Sequence, residues 1–321
     1  MDDRIYEDNE QLRAYRKNEE LKVYRKYCDN LCLDNLCVLS VDDYYESLKD
    51  RSKFKKPRDT SKRDAKRDAQ ITFKSRIRCF FLKDEIECKK REKEKLLQSE
   101  YKQRHQEDVN RKRAEFEKNQ RQNHELIDEM KSKYIKGDKE QIVNFFNKVL
   151  QSDCFTIGMG NEYYYDADSE VSQYDETTKT LSYEYRIPNA RDICVIDEYI
   201  YDEKRNAVIP KEFDTVHAKK ERMNFLETLL LRSVARVIDS DTYNHVEFIN
   251  LTGFLIYYDS AYGNYRKVNN VVQLIISRDL WSQINLECAN KSELFERVLK
   301  ENFKTSAGLY EKEPFDLAEI K

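Results

Sequence analysis

A change in composition near residue 138 divides this chain into two parts with different chemistry. Residues 1–150 carry 38 Lys and Arg against 31 Asp and Glu, whereas residues 151–321 carry 20 against 30. The first part therefore has a net charge of +7 and the second of −10. Dense apolar patterning begins only after residue 140, and a charge-saturated stretch cannot bury much apolar surface. We predict a long charged helical arm followed by a compact mixed α+β domain.

The composition also argues against a membrane-spanning or a secreted protein. No segment reaches the roughly 18 apolar residues that a membrane span requires, and the acidic N-terminus has no apolar core of the signal-peptide kind. Eight cysteines at irregular spacing do not form the framework of a secreted domain, so we expect reduced thiols. We therefore expect a cytoplasmic protein without membrane association. The cysteines are Cys28, Cys32, Cys37, Cys79, Cys88, Cys154, Cys194 and Cys288.

The first part of the chain shows helical patterns with few breakers. Residues 4–27 predict a polar helix that needs a partner, and residues 28–48 are apolar enough for a small packing cluster. From residue 80 to residue 133, acidic and basic residues recur three or four apart, as in Glu87 with Arg91. Apolar residues are too sparse there for a clean heptad seam, so a solvated rod or a weak coiled coil is predicted.

Gly137 and Asp138 end this arm and begin the compact domain. Asp138 is a predicted N-cap, and an apolar helical face follows it. The later order of helix, three strands, helix, two strands and helices indicates an α+β fold, with Gly263-Asn264 as a hairpin turn. Predicted strands cover 163–165, 181–187, 193–201, 245–258 and 268–276, predicted turns cover 166–176 and 202–206, and a predicted helix covers 211–238. The predicted divisions are an N-terminal helical segment (1–50), a basic linker (51–79), a long charged helix or weak coiled coil (80–137) and an α+β globular domain (138–321).

Residues 51–78 carry twelve Lys and Arg against three Asp. Two interpretations stay open. Such a run is commonly a solvated linker or helix face, and it is also the pattern of a polyanion-binding surface that contacts phosphates. In the second interpretation the partner is DNA or another polyanion, and eight residues are the candidate contacts. These are Lys53, Lys55, Lys56, Arg58, Lys62, Arg63, Lys66 and Arg67.

Neither a metal site nor a cofactor site nor a catalytic residue is predicted. The four histidines are scattered, no CxxC pair exists, and six glycines leave no phosphate-binding loop. The element order also matches the core of PD-(D/E)xK nucleases, where carboxylates hold Mg²⁺ beside a lysine. The nearest match is Glu184-Tyr185-Arg186 with Asp166, Asp168 or Asp175 upstream. Arginine is a poor substitute for that lysine, so we expect no nuclease activity with Mg²⁺ or Mn²⁺.

Several short runs resemble bacterial restriction-endonuclease-like proteins of the Mrr type. The resemblance covers about residues 80–316 and implies a charged helical arm, an α+β region and then a separate nuclease domain. This chain stops at Lys321, where that family would continue, so the resemblance implies a recognition or scaffold region whose cutting activity a partner protein supplies. The runs are Tyr134-Ile-Lys-Gly-Asp138, Lys148-Val-Leu-Gln-Ser152, Leu181-Ser-Tyr-Glu-Tyr-Arg-Ile-Pro188, Leu229-Leu-Leu-Arg-Ser-Val-Ala-Arg236, Asn250-Leu-Thr-Gly-Phe254, Tyr262-Gly263 and Leu274-Ile-Ile-Ser277.

The sequence thus predicts a non-catalytic, nucleic-acid-binding or scaffold component of a bacterial antiviral defence or restriction-like system. The helical arm would bind a protein partner or associate with itself. Two alternatives remain, a metal-dependent nuclease with a degenerate site at Glu184 and a pure coiled-coil interaction scaffold.

Overall fold

The computed structural model describes residues 3–31, 33, 36, 38–74, 83–157, 163–166, 168–259, 263–287, 289–306 and 309–310. The chain forms two compact units. One contains Met1–Tyr44 and Lys131–Lys321, and the other contains Tyr45–Met130. The N-terminal helix therefore belongs to the same unit as the C-terminal sheet.

Helices and strands are both abundant in the described residues, which confirms the predicted α+β class. No described helix combines the length and the apolar character needed to cross a membrane. A 3-10 turn covers Ala190–Asp192 and a π-helical turn covers Leu294–Val298. The α-helices are α1 (Asp3–Asn30), α2 (Val41–Leu48), α3 (Ser61–Lys74), α4 (Lys83–Ile135), α5 (Lys139–Gln151), α6 (Thr215–Ser240), α7 (Arg278–Ser282) and α8 (Lys291–Glu293). The strands are β1 (Cys154–Ile157), β2 (Tyr163–Asp166), β3 (Glu170–Asp175), β4 (Thr180–Arg186), β5 (Ile196–Asp202), β6 (Ala207–Glu212), β7 (Phe248–Asp259), β8 (Asn264–Ser277) and β9 (Phe303–Thr305).

A five-stranded sheet in the order β3-β4-β7-β8-β9 organises the first unit. Its neighbours are antiparallel except β4 and β7, which run parallel and are connected through α6. Along β4 and just beyond it, alternate residues are buried while those between them are partly exposed. This period of two fixes which face of the sheet meets the core. The buried residues are Leu181, Tyr183, Tyr185 and Ile187.

The N-terminal helix α1 finds its partner in the β5–β6 hairpin. Leu21 is buried, and Asn18 donates a hydrogen bond to the carbonyl of Tyr199 (2.9 Å) and accepts one from its N–H (2.6 Å). Lys17 lies over the ring of the same tyrosine, 4.8 Å from its centroid. The amide thus satisfies one donor and one acceptor of a strand, so a polar helix docks without a large apolar stripe.

The predicted end of α4 and start of α5 are confirmed. Gly137 has φ +87°, and its N–H donates to the carbonyl of Tyr134 while the N–H of Asp138 donates to that of Lys133. This pair of bonds is the Schellman motif, which favours glycine at the left-handed position. The Asp138 side chain then accepts from the N–H of Gln141 as the N-cap of α5.

The sequence missed several strands. The predicted turn at 166–176 contains β3, an edge strand in which only Val171 and Tyr174 are buried, so its apolar signal is weak. The helix predicted from residue 211 begins at Thr215, because β6 occupies the preceding residues and Asp214 caps the helix through the N–H groups of Val216 and His217. Strands β1, β6 and β9 are short or exposed and were not predicted.

A buried carboxylate links the ends of several elements. Asp153, just after α5, is 1% exposed, and its Oδ1 lies 3.0 Å from Nε of Arg232 and 3.5 Å from Nε of Arg236. Tyr185 of β4 donates its hydroxyl to Oδ2 of the same carboxylate (3.3 Å). Both arginines belong to α6 and are 1% exposed. Two guanidinium groups are therefore buried around one carboxylate.

The outer nitrogens of the two arginines bind the backbone of other segments. Nη1 of Arg232 donates to the carbonyl of Leu31, at the end of α1 (2.7 Å). Nη2 of Arg236 donates to the carbonyl of Val149 (2.7 Å) and to the hydroxyl of Ser152 (2.8 Å), which closes the end of α5. We call Asp153 with these two arginines the buried ion cluster. It connects α5, β4, α6 and the chain that follows α1.

We predict that Asp153→Asn destabilises the first unit by about 3 kcal/mol, because it leaves two buried guanidinium groups without their counter-charge. The fluorescence of Trp281 during urea unfolding measures this, since it is the only tryptophan and lies in the first unit. The exposed Asp168→Asn is the matched control and should change stability by less than about 0.5 kcal/mol. An equal effect of the two variants would contradict the role of the cluster.

A second prediction concerns pH and Glu227 of α6. Burial, helped by the charge of Glu296, raises the pKa of Glu227 from 4.5 to about 7, and its Oε2 has no hydrogen-bond partner among the described residues. Between these two pKa values the folded chain binds more protons than the unfolded chain, so stability falls as pH rises through that window. Glu227→Gln should therefore stabilise the first unit by on the order of 2–3 kcal/mol at pH 8 and by much less at pH 5.

The test is urea unfolding followed by Trp281 fluorescence at both pH values, with the exposed Glu203→Gln as the control for loss of charge. A stabilisation of the same size at pH 5 and pH 8 would contradict the titration of Glu227.

Candidate nucleic-acid interface

The basic stretch begins as an extended segment whose backbone is bound by side chains of α4. The N–H of Asp50 donates to Oδ1 of Asn123 (3.0 Å), and Nε2 of Gln120 donates to the carbonyls of Asp50 (2.7 Å) and Ser52 (3.2 Å). His124 Nε2 lies 3.0 Å from the same Asp50 carbonyl. These bonds take up backbone groups that a free linker would leave to water. Within the second unit this part of the stretch is therefore an attached segment.

An aromatic contact fixes the next point along the segment. The ring centroids of Phe54 and Phe116 are 5.8 Å apart, and the guanidinium carbon of Arg113 lies 5.6 Å from the centroid of Phe54. The ring is thus covered by an aromatic and a cationic neighbour, both from α4. Phe54 is half-buried, whereas the lysines on both sides of it are exposed.

One face of helix α3 consists of small, buried residues. Ser61, Ala65 and Ala69 recur every four residues and are buried, with the two alanines fully so. Small side chains at this spacing form one face of a helix. The hydroxyl of Tyr101 on α4 donates to Oδ2 of Asp68 (2.8 Å), which ties α3 to α4. This bond is the main cause of the lowered pKa of Asp68, and the hydrogen bond and charge of Arg67 lower the pKa further.

The segment and α3 run antiparallel to α4. Phe54 contacts Phe116, and Asp68 contacts Tyr101, so later residues of the stretch meet earlier residues of α4. Asp59 lies between these contacts. Hydrogen bonds from Ser61 are the main cause of its lowered pKa, and the charges of His105 and Lys102 on α4 lower the pKa further. The 15 residues of α4 from Tyr101 to Phe116 span roughly 22 Å at 1.5 Å per residue.

All eight candidate residues are exposed on the outside of this arrangement. Four lie on the extended segment and four on α3. At 100° per residue, Arg63 and Arg67 lie opposite Ala65 and Ala69, while Lys66 and Lys62 lie at the flank of the buried face. We call the eight side chains the basic ridge. Its members are Lys53, Lys55, Lys56, Arg58, Lys62, Arg63, Lys66 and Arg67.

The basic ridge keeps most of its charge uncompensated. Residues 53–68 contain eight cations against three acidic residues. Arg67 lies 3.2 Å from Asp68 and 3.7 Å from Asp64, and Arg63 lies 3.8 Å from Asp64. The five lysines on the ridge and Arg58 form no ion pair with any residue that the structure describes. The ridge therefore presents an excess of positive charge to the solvent.

The alternative nuclease residues are not assembled into a site. Glu184 forms an ion pair with Lys267 of β8, and Asp175 accepts from the N–H of Thr177 (2.8 Å), which closes the turn after β3. Asp166 belongs to the separate β1–β2 sheet. Asp168 lies between β2 and β3 in the sequence and is exposed. Among the described residues there is no group of three or more His, Cys, Asp and Glu side chains that could hold a metal ion.

The cysteines that the structure describes form no ligand set either. Cys28, Cys88, Cys154 and Cys194 are free, while Cys32, Cys37, Cys79 and Cys288 lie outside the described residues. Burial raises the pKa of Cys28 to about 12, so this thiol stays protonated near neutral pH. A protonated thiol is a poor metal ligand and a poor nucleophile.

Sequence reasoning missed the residues that position the ridge. Phe116 is one of the apolar residues of α4 that are too sparse for a heptad seam, and no role was predicted for Gln120, Asn123 or His124. A signal was present, because these residues recur three or four apart with the buried Val109 and Ile127 on one face of α4. The following residues form that face: Tyr101, His105, Val109, Arg113, Phe116, Gln120, Asn123, His124 and Ile127.

Comparisons of the chain with protein-family models, with curated proteins and with solved structures find no match. The resemblance to Mrr-type proteins thus rests on the quoted residues and stays a prediction.

Proposed function

We propose that this chain is a non-catalytic nucleic-acid-binding protein whose basic ridge contacts phosphate groups. The supporting observation is that eight cations are exposed along a segment and a helix attached to α4. The second unit as a whole, Tyr45–Met130, carries 26 Lys and Arg against 18 Asp and Glu. The rest of the chain carries 32 against 43, so the positive charge is concentrated where the ridge lies.

The chemistry of the ridge favours contacts with the nucleic-acid backbone. Lysine and arginine neutralise phosphates and release condensed counterions, which supplies affinity without reading base edges. The ridge is also held in place before binding, because its backbone and Phe54 are bound to α4. A positioned set of cations loses less conformational entropy on binding than a free linker does.

The proposal assigns no catalytic step to this chain. Glu184 is paired with Lys267, and the upstream aspartates lie on other elements, so the described residues offer no support for metal-assisted hydrolysis. In the bacterial defence context that the resemblance implies, the chain would bring a protein partner to nucleic acid, and that partner would carry out the cutting. This context is a prediction from the resemblance.

We predict that replacing all eight ridge residues by Ser abolishes binding of labelled DNA at low salt in an anisotropy titration. A smaller variant, Lys55, Lys56 and Arg58 to Ser, should weaken binding by at least about tenfold and reduce the slope of log K against log salt by about 2 to 3. The matched control removes three cations on the opposite face of α4, and it should weaken binding by less than roughly threefold. The control residues are Arg104, Arg111 and Lys118.

Circular dichroism should show unchanged helix content in all of these variants, since every replaced side chain is exposed. Equal losses in the two triple variants would indicate diffuse attraction to the whole unit and would contradict a defined site. Unchanged affinity in the eight-residue variant would assign the stretch to a solvated surface.

A gain of affinity is predicted for Asp64→Asn. Asp64 lies within 4 Å of Arg63 and Arg67, so removing its charge frees two ridge cations for phosphate. Its hydrogen bond from the Thr60 hydroxyl (2.6 Å) is retained because an amide oxygen also accepts. Binding at low salt should tighten about threefold, in line with the value of exposed ion pairs. Glu203→Gln, an equal charge change in the first unit, is the control, and a gain of the same size there would contradict a local effect.

A further inference from the structure

We propose that the basic ridge binds double-stranded nucleic acid in preference to a single strand. This inference rests on the proposed function and names the substrate class of the same site. It follows from the aromatic residues near the ridge and from the attachment of the ridge to α4.

Among the side chains that the structure describes around the ridge, none forms an aromatic platform for unpaired bases. Proteins that hold single strands combine a basic groove with aromatic side chains on which successive bases stack. Phe54 is the only aromatic residue between residues 50 and 70, and its ring contacts Phe116 and Arg113 of α4. Tyr101, the nearest tyrosine of α4, is bound through its hydroxyl to Asp68. Base stacking therefore contributes little at this surface, and phosphate contacts carry the affinity.

Because the ridge is attached to α4, its cations are held in fixed positions, which favours binding of a stiff nucleic acid. Hydrogen bonds from Gln120 and Asn123 and the contact of Phe54 fix the extended segment, while the bond from Tyr101 fixes α3. A duplex has a persistence length of about 150 base pairs, so its phosphates are ordered before binding. A flexible single strand must be ordered along the ridge and loses conformational entropy in doing so. Two ordered surfaces therefore associate at a lower entropic cost.

The test is an anisotropy titration of the full chain with three labelled probes at 50 mM and 200 mM salt. The probes are a 16-base-pair DNA duplex of mixed sequence, a duplex with the same composition in scrambled order, and a 16-nucleotide oligothymidine. We expect both duplexes to bind equally and at least about tenfold more tightly than the oligothymidine at 50 mM salt. Replacing Lys55, Lys56 and Arg58 by Ser should weaken duplex binding by at least about tenfold and remove most of the preference for duplex.

A Phe54→Leu variant separates stacking from phosphate contact, because leucine keeps an apolar contact on Phe116 but has no ring. Because Phe54 also helps to attach the segment, we expect any change in affinity to be the same for the duplex and for the oligothymidine. Tighter or equal binding of the oligothymidine by the unaltered chain, or a loss in Phe54→Leu that affects the oligothymidine alone, would overturn the preference for duplex while leaving the proposed function intact. No binding of any probe at 50 mM salt would instead overturn the proposed function itself.

Discussion

The packing of α6 in the first unit depends on the buried ion cluster. One carboxylate, Asp153, holds two guanidinium groups of α6, and those groups in turn satisfy backbone carbonyls at the ends of α1 and α5. Moving these charges out of water costs several kcal/mol per ion, and only good geometry with further hydrogen bonds offsets that cost. A replacement packing of α6 would leave at least one ion unpaired. The cluster therefore restricts the ways in which α6 can pack on the sheet.

The second unit is held together by different means. Among its described residues the buried apolar side chains are few: Tyr45, Ala65, Ala69, Val109 and Ile127. Its segment 50–60 is attached through amide side chains and one aromatic pair. The cations of the stretch are not used for this packing, and they remain on the surface. Few apolar residues hold this region, so its sequence resembles a linker. For the same reason its cations stay exposed, where they can meet phosphate groups.

Regular patterns made part of this structure predictable. The long α4, the Gly137-Asp138 junction and the alternation along β4 each follow from a local period or a capping residue, and each is confirmed. The strand β3 was missed because an edge strand buries only two of its side chains, which is too few to stand out from a polar turn. Strand β6 contains Pro210, which weakens any strand signal.

Local sequence patterns could not predict the interactions between residues that are distant in the chain. The run from Leu229 to Arg236 carries two arginines among apolar residues, which indicates buried charge, but the partner Asp153 lies 79 residues before Arg232 and no local pattern connects them. The ridge is similar. Its cations are visible in the sequence, while its attachment depends on Gln120, which lies 70 residues after Asp50. Composition located the candidate surface, and only the fold separates an attached ridge from a free linker.

The opposite charges of the two units affect how salt acts on binding. We expect a polyanion to be attracted by the positive net charge of the second unit and repelled by the negative net charge of the first, which carries 32 Lys and Arg against 43 Asp and Glu. Added salt weakens the phosphate contacts through counterion release, and it also screens the repulsion over a Debye length of about 10 Å at 0.1 M. The two effects oppose each other, so the salt slope of the full chain is shallower than eight phosphate contacts alone would give. The difference in slope between two variants cancels the repulsion common to both, and it therefore counts the contacts of the ridge better than any absolute slope does.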